Sequence, residues 1–203
     1  MARVAVLAPT ELPPDLRTRV GVTAETRPAQ LGSLQVWARL PELASALLDV
    51  QAAIGRVSLP PRLLELVRLR IAFHNQCRSC MALRSGQAQD DGLTEAIVCE
   101  LQAPDEAPDL TDAERAALAY ADRLSIAHHQ VDDDLFDRLR EHFSETQILE
   151  LGAQVAFCIG FGRVAMSWSL VDDLPPGLQA PGTVGPWDSE GISRPETTIE
   201  APR

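Results

Sequence analysis

The chain has 203 residues, with 18 Lys+Arg against 29 Asp+Glu, a formal net charge of −11 and four cysteines. All 18 basic residues are arginine, which removes Schiff-base chemistry, pyridoxal phosphate attachment and a phosphate-loop lysine, since each needs an ε-amine. An acidic chain with no basic cluster is a poor polyanion binder, and no uninterrupted apolar run nears the ~18 residues that span a bilayer, so neither nucleic acid nor a membrane is an expected partner.

Hydrophobic residues make up 45% of the chain and aromatics only 4%. The apolar residues are mostly Ala, Leu and Val, a composition that favours helices over sandwiches rich in Tyr, Phe and Ile. Met1–Leu7 is apolar but too short for a signal peptide, and prolines and acids follow it. The expected compartment is therefore the cytosol, where thiols stay reduced and closely spaced cysteines point to redox or metal chemistry.

Residues 1–31 carry several prolines and little periodicity, and read as an extended or short-helical arm. From Leu34, apolar residues recur every three to four positions through Trp37, Leu40, Leu43, Leu47, Leu48 and Ala52, with Pro41 breaking the run or opening a fresh helix. Ser58, Pro60 and Pro61 predict a helix start, because a first-turn proline loses nothing by lacking its N–H. That helix runs to about His74. Asn75-Gln76 interrupts it, and a second helix is expected from Cys77 to about Asp91-Gly92.

A short helix over Leu93–Leu101 ends at Pro104. Thr111–Glu114 fits a capping box opening a helix to about His128, and Ser144–Gln147 fits a second one opening a long apolar helix to Trp168. Between them, Asp132–Asp134 places acids at a helix start, where the macrodipole favours them. From Pro175 to Arg203, six prolines and four glycines make regular structure unexpected, so this tail is either disordered or wrapped on a neighbour. The fold class is all-α, with a domain over 32–174 between arms at 1–31 and 175–203.

Cys77-Arg78-Ser79-Cys80 is the sharpest chemical feature. A two-residue spacer at a helix start brings both sulfurs within bridging reach, and the free N–H groups of a first turn stabilise a thiolate. Arg84 falls four residues after Cys80 and seven after Cys77, so a continuous helix puts all three on one face, where the arginine lowers the thiol pKa. His74 extends the pattern to H-x2-C-x2-C, half of a zinc site, but no second closely spaced pair completes four ligands. Cys99 and Cys158 lie in apolar helical contexts and read as buried core residues, as does Tyr120, the only tyrosine. Glu65 followed by Arg68 one turn on reads, by itself, as a solvated helix pair. His128-His129 suits a helix C-terminus better than a base.

The stretch from Glu65 to Cys80, ELVRLRIAFHNQCRSC, resembles the carboxymuconolactone decarboxylase superfamily, specifically its alkyl hydroperoxidase D-like branch with the pattern E-x11-C-x2-C-x3-H. Ala117–Ala121, Val131-Asp132, Leu135-Phe136 and Phe143–Leu151 resemble the family's second half, and the likeness covers roughly 33–171. It implies an alkyl hydroperoxidase D-like helical domain assembled as homo-trimers or hexamers. It implies no cofactor and no metal, and a hydroperoxide substrate reduced by the cysteine pair, which a thiol or dithiol partner re-reduces. Cys80 maps to the attacking cysteine, Cys77 to the resolving one and Glu65 to a proton relay; helix-end physics alone would choose Cys77 as nucleophile.

The sequence departs from the family at Arg84, which stands where a histidine is expected, and at Ser79, which replaces a histidine some members carry. Arginine can hold a thiolate but cannot shuttle a proton, so a redox-active dithiol with a weak peroxidase rate is expected unless His74, His128 or His129 supplies the alkoxide's proton. Two alternatives stay open: a general thiol–disulfide oxidoreductase with little peroxidase activity, acting on a disulfide substrate, and a non-enzymatic redox-sensing or zinc-binding helical module.

Overall fold

The computed structural model describes residues 1–195. Its helices are α1 (Pro14–Arg19), α2 (Pro28–Leu31), α3 (Leu34–Trp37), α4 (Pro41–Ile54), α5 (Pro61–His74), α6 (Arg78–Ala82), α7 (Gly86–Asp90), α8 (Glu95–Glu100), α9 (Asp112–Ile126), α10 (Asp133–Arg140), α11 (Glu145–Ser167) and α12 (Pro176–Gln179). One two-residue parallel pair, β1 (Leu83–Arg84) with β2 (Ile192–Ser193), is the sheet structure among the described residues. The fold is all-α.

Local signals position several helices. Thr111 accepts from the Glu114 amide while Glu114 reaches back to the Thr111 amide, so two orphan first-turn donors are satisfied at α9. Ser144 and Gln147 do the same at α11, and Asp132 caps α10. Pro41 is the first residue of α4. The start of α5 differs from the Ser58 expectation: Pro60 occupies the N-cap, and Ser58 donates its amide and hydroxyl to Glu150 instead.

The main core packs α5 against α9 and α11 around Leu66, Val67, Leu69, Ile71, Leu118 and Leu151. Tyr120 belongs to it, at 9% exposure. The N-terminal arm buries Leu12, Leu16, Val20 and Leu31 against Ala38 and Ala44. A third cluster joins Met81 and Ala82 of α6 to Ala29 of that arm and to Leu174, Leu178, Val184 and Ile192. Burying each of these larger side chains contributes about 1.5–3 kcal/mol before chain entropy is set against it.

The C-terminal segment is where expectation and structure part. Residues 175–195 fold back onto their own domain, around the Cys77–Cys80 segment, with residues 196–203 outside the described part. Arg78 donates to the carbonyls of Leu178, Ala180 and Gly182, and the Gln76 amide exchanges hydrogen bonds with both backbone groups of Val184. Proline and glycine prevent a long helix here, but they leave the carbonyls open for side-chain donors to take.

The expected helix over Cys77–Gly92 is broken as well. It stops at Ala82, Leu83 turns extended, and β1 pairs with β2 from more than 100 residues away. Gly191 lies against the Arg84 side chain, and a Cβ there would overlap its Cγ and Nε. Arg84 is 1% exposed and tied at every donor, so it cannot give way. Gly191→Ala is expected to cost about 1–3 kcal/mol, the usual penalty of overpacking. Hydrogen exchange at the Arg194 amide, which donates to the Arg84 carbonyl, should then rise; unchanged protection would contradict this account.

Candidate active site

Gln76 enters the site in the left-handed region, at φ 51°, and turns the chain from α5 into α6. Cys77 is the N-cap of α6 and Cys80 its third residue. The two are joined as a disulfide, with their Cα atoms 5.2 Å apart. Their surroundings differ. Cys77 is 0% exposed, with the Ser79 hydroxyl 3.7 Å from its sulfur. Cys80 is partly exposed and lines a cavity of about 170 Å³. Cys77 does not line that cavity.

The cavity wall is mostly apolar. Trp37 stands edge-on to Phe161, whose ring stacks tilted on Phe157, and Leu31, Leu34 and Leu47 complete the greasy side. Both arms help build it, the first through Val20, Gln30 and Leu31 and the second through Arg194 and Pro195. No histidine is among the described residues lining it.

Beside the cavity lies a buried charge cluster. Arg68 grips Glu65 with two hydrogen bonds of 2.7 and 2.6 Å and donates to the carbonyls of Cys80 and Leu83 at 2.6 and 2.7 Å. The Glu65 carboxylate also accepts from the Ser85 amide at 2.9 Å. The pair is thus the brace that closes α6 and sets β1, and it is not solvated: Glu65 is 4% exposed. Burial on its own would raise the Glu65 carboxyl, but the charge and hydrogen bonds of Arg68, with help from Arg194 and Ser85, hold it below the usual carboxylate range. At neutral pH Glu65 is an ionised carboxylate and has no proton to give.

Arg84 does not share a helix face with the cysteines. Its guanidinium forms a two-pronged pair with Glu95 and donates to Met81, Leu83 and Pro186 carbonyls, so it fastens the tail rather than a thiolate. Among the described residues, the cations that border the cavity are Arg68, which the sequence reads only as the solvated partner of Glu65, and Arg194, which it does not single out. Arg68 stood in plain view at one turn from Glu65; Arg194 carried no local signal at all.

The three histidines expected as proton donors are not gathered at the site. His74 Nε2 lies 2.6 Å from Asp122, which also binds Arg70 at 2.8 Å. His128 and His129 stack on one another in an exposed turn after α9. The remaining thiols also depart from expectation. Cys99 is exposed, whereas Cys158 lines the cavity with Cys80. Burial pushes the Cys158 thiol up to about 12, with Glu65 adding to the shift, so it stays protonated at neutral pH. Among the described residues, no group of three or more His, Cys, Asp or Glu is arranged to hold a metal ion.

Residues 41–123 match the carboxymuconolactone decarboxylase family. Among relatives, the uncharacterized protein YdfG of Bacillus subtilis is 29% identical over 112 residues, covering 55% of this chain and 76% of its own. A crystal structure from Agrobacterium tumefaciens, of a protein of unknown function assigned to antioxidant defence as AhpD, is 27% identical with a TM-score of 0.58 over 66% of this chain and 92% of its own. The alkylhydroperoxidase AhpD core of a peroxidase-related protein from Ralstonia eutropha shares the fold more completely, at TM-score 0.71 over 91% and 97% of the two chains and 21% identity. The fold is also that of a debrominase crystallised with 2,3,4-tribromopyrrole, at TM-score 0.61 over 83% and 92% of the chains and 20% identity.

Proposed function

Because this chain belongs to the carboxymuconolactone decarboxylase superfamily, in its alkyl hydroperoxidase D-like branch, we propose that it is a peroxidase that reduces organic hydroperoxides with the Cys77/Cys80 pair. One observation carries the reading: of two bonded cysteines, one faces a cavity sized for an organic molecule while the other is sealed behind it.

In the reduced protein the Cys80 thiolate attacks the distal oxygen of ROOH. The O–O bond breaks, Cys80 becomes a sulfenic acid, and the alkoxide takes a proton and leaves as ROH. The Cys77 thiolate then attacks the Cys80 sulfur, and the S–O bond breaks as hydroxide takes a proton and leaves as water, forming the disulfide. A thiol or dithiol partner returns two electrons and two protons. The Ser79 hydroxyl, near Cys77 Sγ, can donate to the resolving thiolate. Arg194, rather than Arg84, is the cation bordering the cavity beside Cys80 outside the Arg68–Glu65 pair. Glu65 is a positioning residue that acts through Arg68. With the histidines engaged elsewhere or exposed, the proton for the alkoxide comes from water or from the protonated Cys158 thiol. The protein works in the cytosol as a homo-oligomer. Leu43, Val50, Leu149 and Val164 leave apolar surface exposed on α4 and α11 for copies of the chain to cover. A sedimentation mass of a single chain would reject that assembly.

The test is direct. Reduced protein treated with one equivalent of cumene hydroperoxide, then alkylated and weighed, should show Cys77 and Cys80 lost to alkylation together, Cys99 labelled and Cys158 spared. Persistence of both as free thiols would reject the reading. A second reading, reduction of a carbon–halogen bond by the same thiolate, is favoured by the ring-sized cavity and the fold shared with a debrominase. Bromide release from a bromopyrrole, with hydroperoxides left intact, would select it.

A further inference from the structure

Among the described residues, the charges at the cavity do not cancel. Glu65 is committed to Arg68 through two hydrogen bonds, and together they are neutral. Arg194 remains. Its backbone is pinned, since its amide donates to the Arg84 carbonyl at 3.1 Å, directly after β2. Its guanidinium makes no hydrogen bond or ion pair among the described residues, yet its charge is felt at Glu65, Arg68 and Cys158. The residue is exposed overall, with part of it forming the rim of the cavity. The protein packed around it and the like charge of Arg68 push its pKa down to about 10, so it is still a cation at neutral pH. At the mouth of an apolar cavity, a guanidinium with donors free among the described residues offers a charge-assisted partner to an anion seated inside.

The opposite wall sets size and character. Trp37, Phe157 and Phe161 offer aromatic edges and faces, and the space of about 170 Å³ is close to that of apolar cavities that accept one benzene ring. We propose that the cavity is a binding site for ring-sized organic hydroperoxides that carry a carboxylate, with the ring on the aromatic wall, the carboxylate on Arg194 and the peroxide at Cys80. This rests on Cys80 being the reacting atom, and it adds a substrate class that the family match does not supply. Arg194, Leu31, Leu34 and Phe157 all lie outside the matched residues 41–123. The selectivity is local: the chain's net charge of −11 repels anions at long range.

Two hydroperoxides of the same ring size separate the possibilities: cumene hydroperoxide and its para-carboxylate. The reduced full-length protein should favour the carboxylate in kcat/KM by about tenfold or more, the discrimination worth one charge-assisted hydrogen-bonded pair. Arg194→Gln should bring the ratio to about one, and Arg194→Lys should restore part of it. Binding is read separately, without turnover, in Cys80→Ser through the fluorescence of Trp37. 4-Isopropylbenzoate should quench saturably and at least about tenfold more tightly than isopropylbenzene, a preference Arg194→Gln removes. A wild-type ratio near one, or a preference that survives Arg194→Gln, overturns the inference. So does an Arg194→Gln variant that shifts only the pH at which Cys80 is alkylated, because the arginine then serves the thiolate alone. If no hydroperoxide is consumed at all, the peroxidase reading fails, and the fluorescence titration still decides the carboxylate site.

Discussion

Cys80→Ser is expected to lower thiol-dependent hydroperoxide consumption by at least about a thousandfold, a barrier increase of ~4 kcal/mol. A serine hydroxyl with no adjacent base is a far weaker nucleophile than a thiolate. Cys77 cannot stand in, because it is sealed at 0% exposure and does not border the cavity. Cys77→Ser should behave differently. Its Cys80 still reacts once, giving a burst of about one equivalent of alcohol and a sulfenic acid that a dimedone-type trap captures, but it does not turn over through a disulfide. Stopped-flow measurement of alcohol formation separates the two variants. If Cys77→Ser were the silent one and Cys80→Ser gave the burst, the nucleophile would be Cys77, as helix-end physics alone suggests.

Glu65→Ala should be among the most destabilising single changes in the chain. It leaves Arg68, whose side chain is 11% exposed, charged and without its partner beside a second guanidinium. Removing one member of a buried pair costs about 3–5 kcal/mol, and at about 2–4 °C per kcal/mol for a domain of this size the midpoint of thermal unfolding should fall by roughly 6–20 °C. Pairing the change with Arg68→Met should recover most of that loss, since two apolar side chains leave no orphaned charge. The double variant still lacks the donors to the Cys80 and Leu83 carbonyls, so its stability should return further than its activity.

The same carboxylate sets a pH dependence. The folded-state pKa of Glu65 lies below the ordinary value, so its stabilising effect is fully present above the unfolded pKa of about 4.3 and is lost as pH falls through the folded value. Wild-type stability should therefore drop on acidification below about pH 4, and Glu65→Ala should show a shallower drop over the same window. Equal slopes in urea titrations at pH 3 and pH 7 would contradict the assignment.

Much of the architecture was legible because it is written locally. Thr111, Asp132 and Ser144 announce three helices by residues three positions apart, and a capping box needs nothing from the rest of the chain. The E-x11-C-x2-C spacing likewise identified the cysteine pair and its family, since both lie on consecutive elements, α5 and α6. Arg84 shows the limit of this kind of reading. Helical periodicity places it one turn below Cys80, but a strand more than 100 residues away ends the helix at Ala82 and turns the arginine to Glu95 and Pro186.

The cysteines divide in the same way. Cys99 and Cys158 sit in similar apolar sequence contexts, yet one faces solvent and the other borders the cavity, because the packing of α8 and α11 decides which side each presents. The sequence by itself determined the all-α class, several of the helix boundaries, the absence of amine chemistry and the identity of the dithiol. Only the tertiary structure decided which sulfur borders the cavity, that Glu65 braces α6 through Arg68, and that Arg194 is the cation bordering the cavity outside that pair among the described residues. Caps and periodicity act over three or four residues, whereas the field and shape at Cys80 come from charges and walls that meet only when both arms close on the domain.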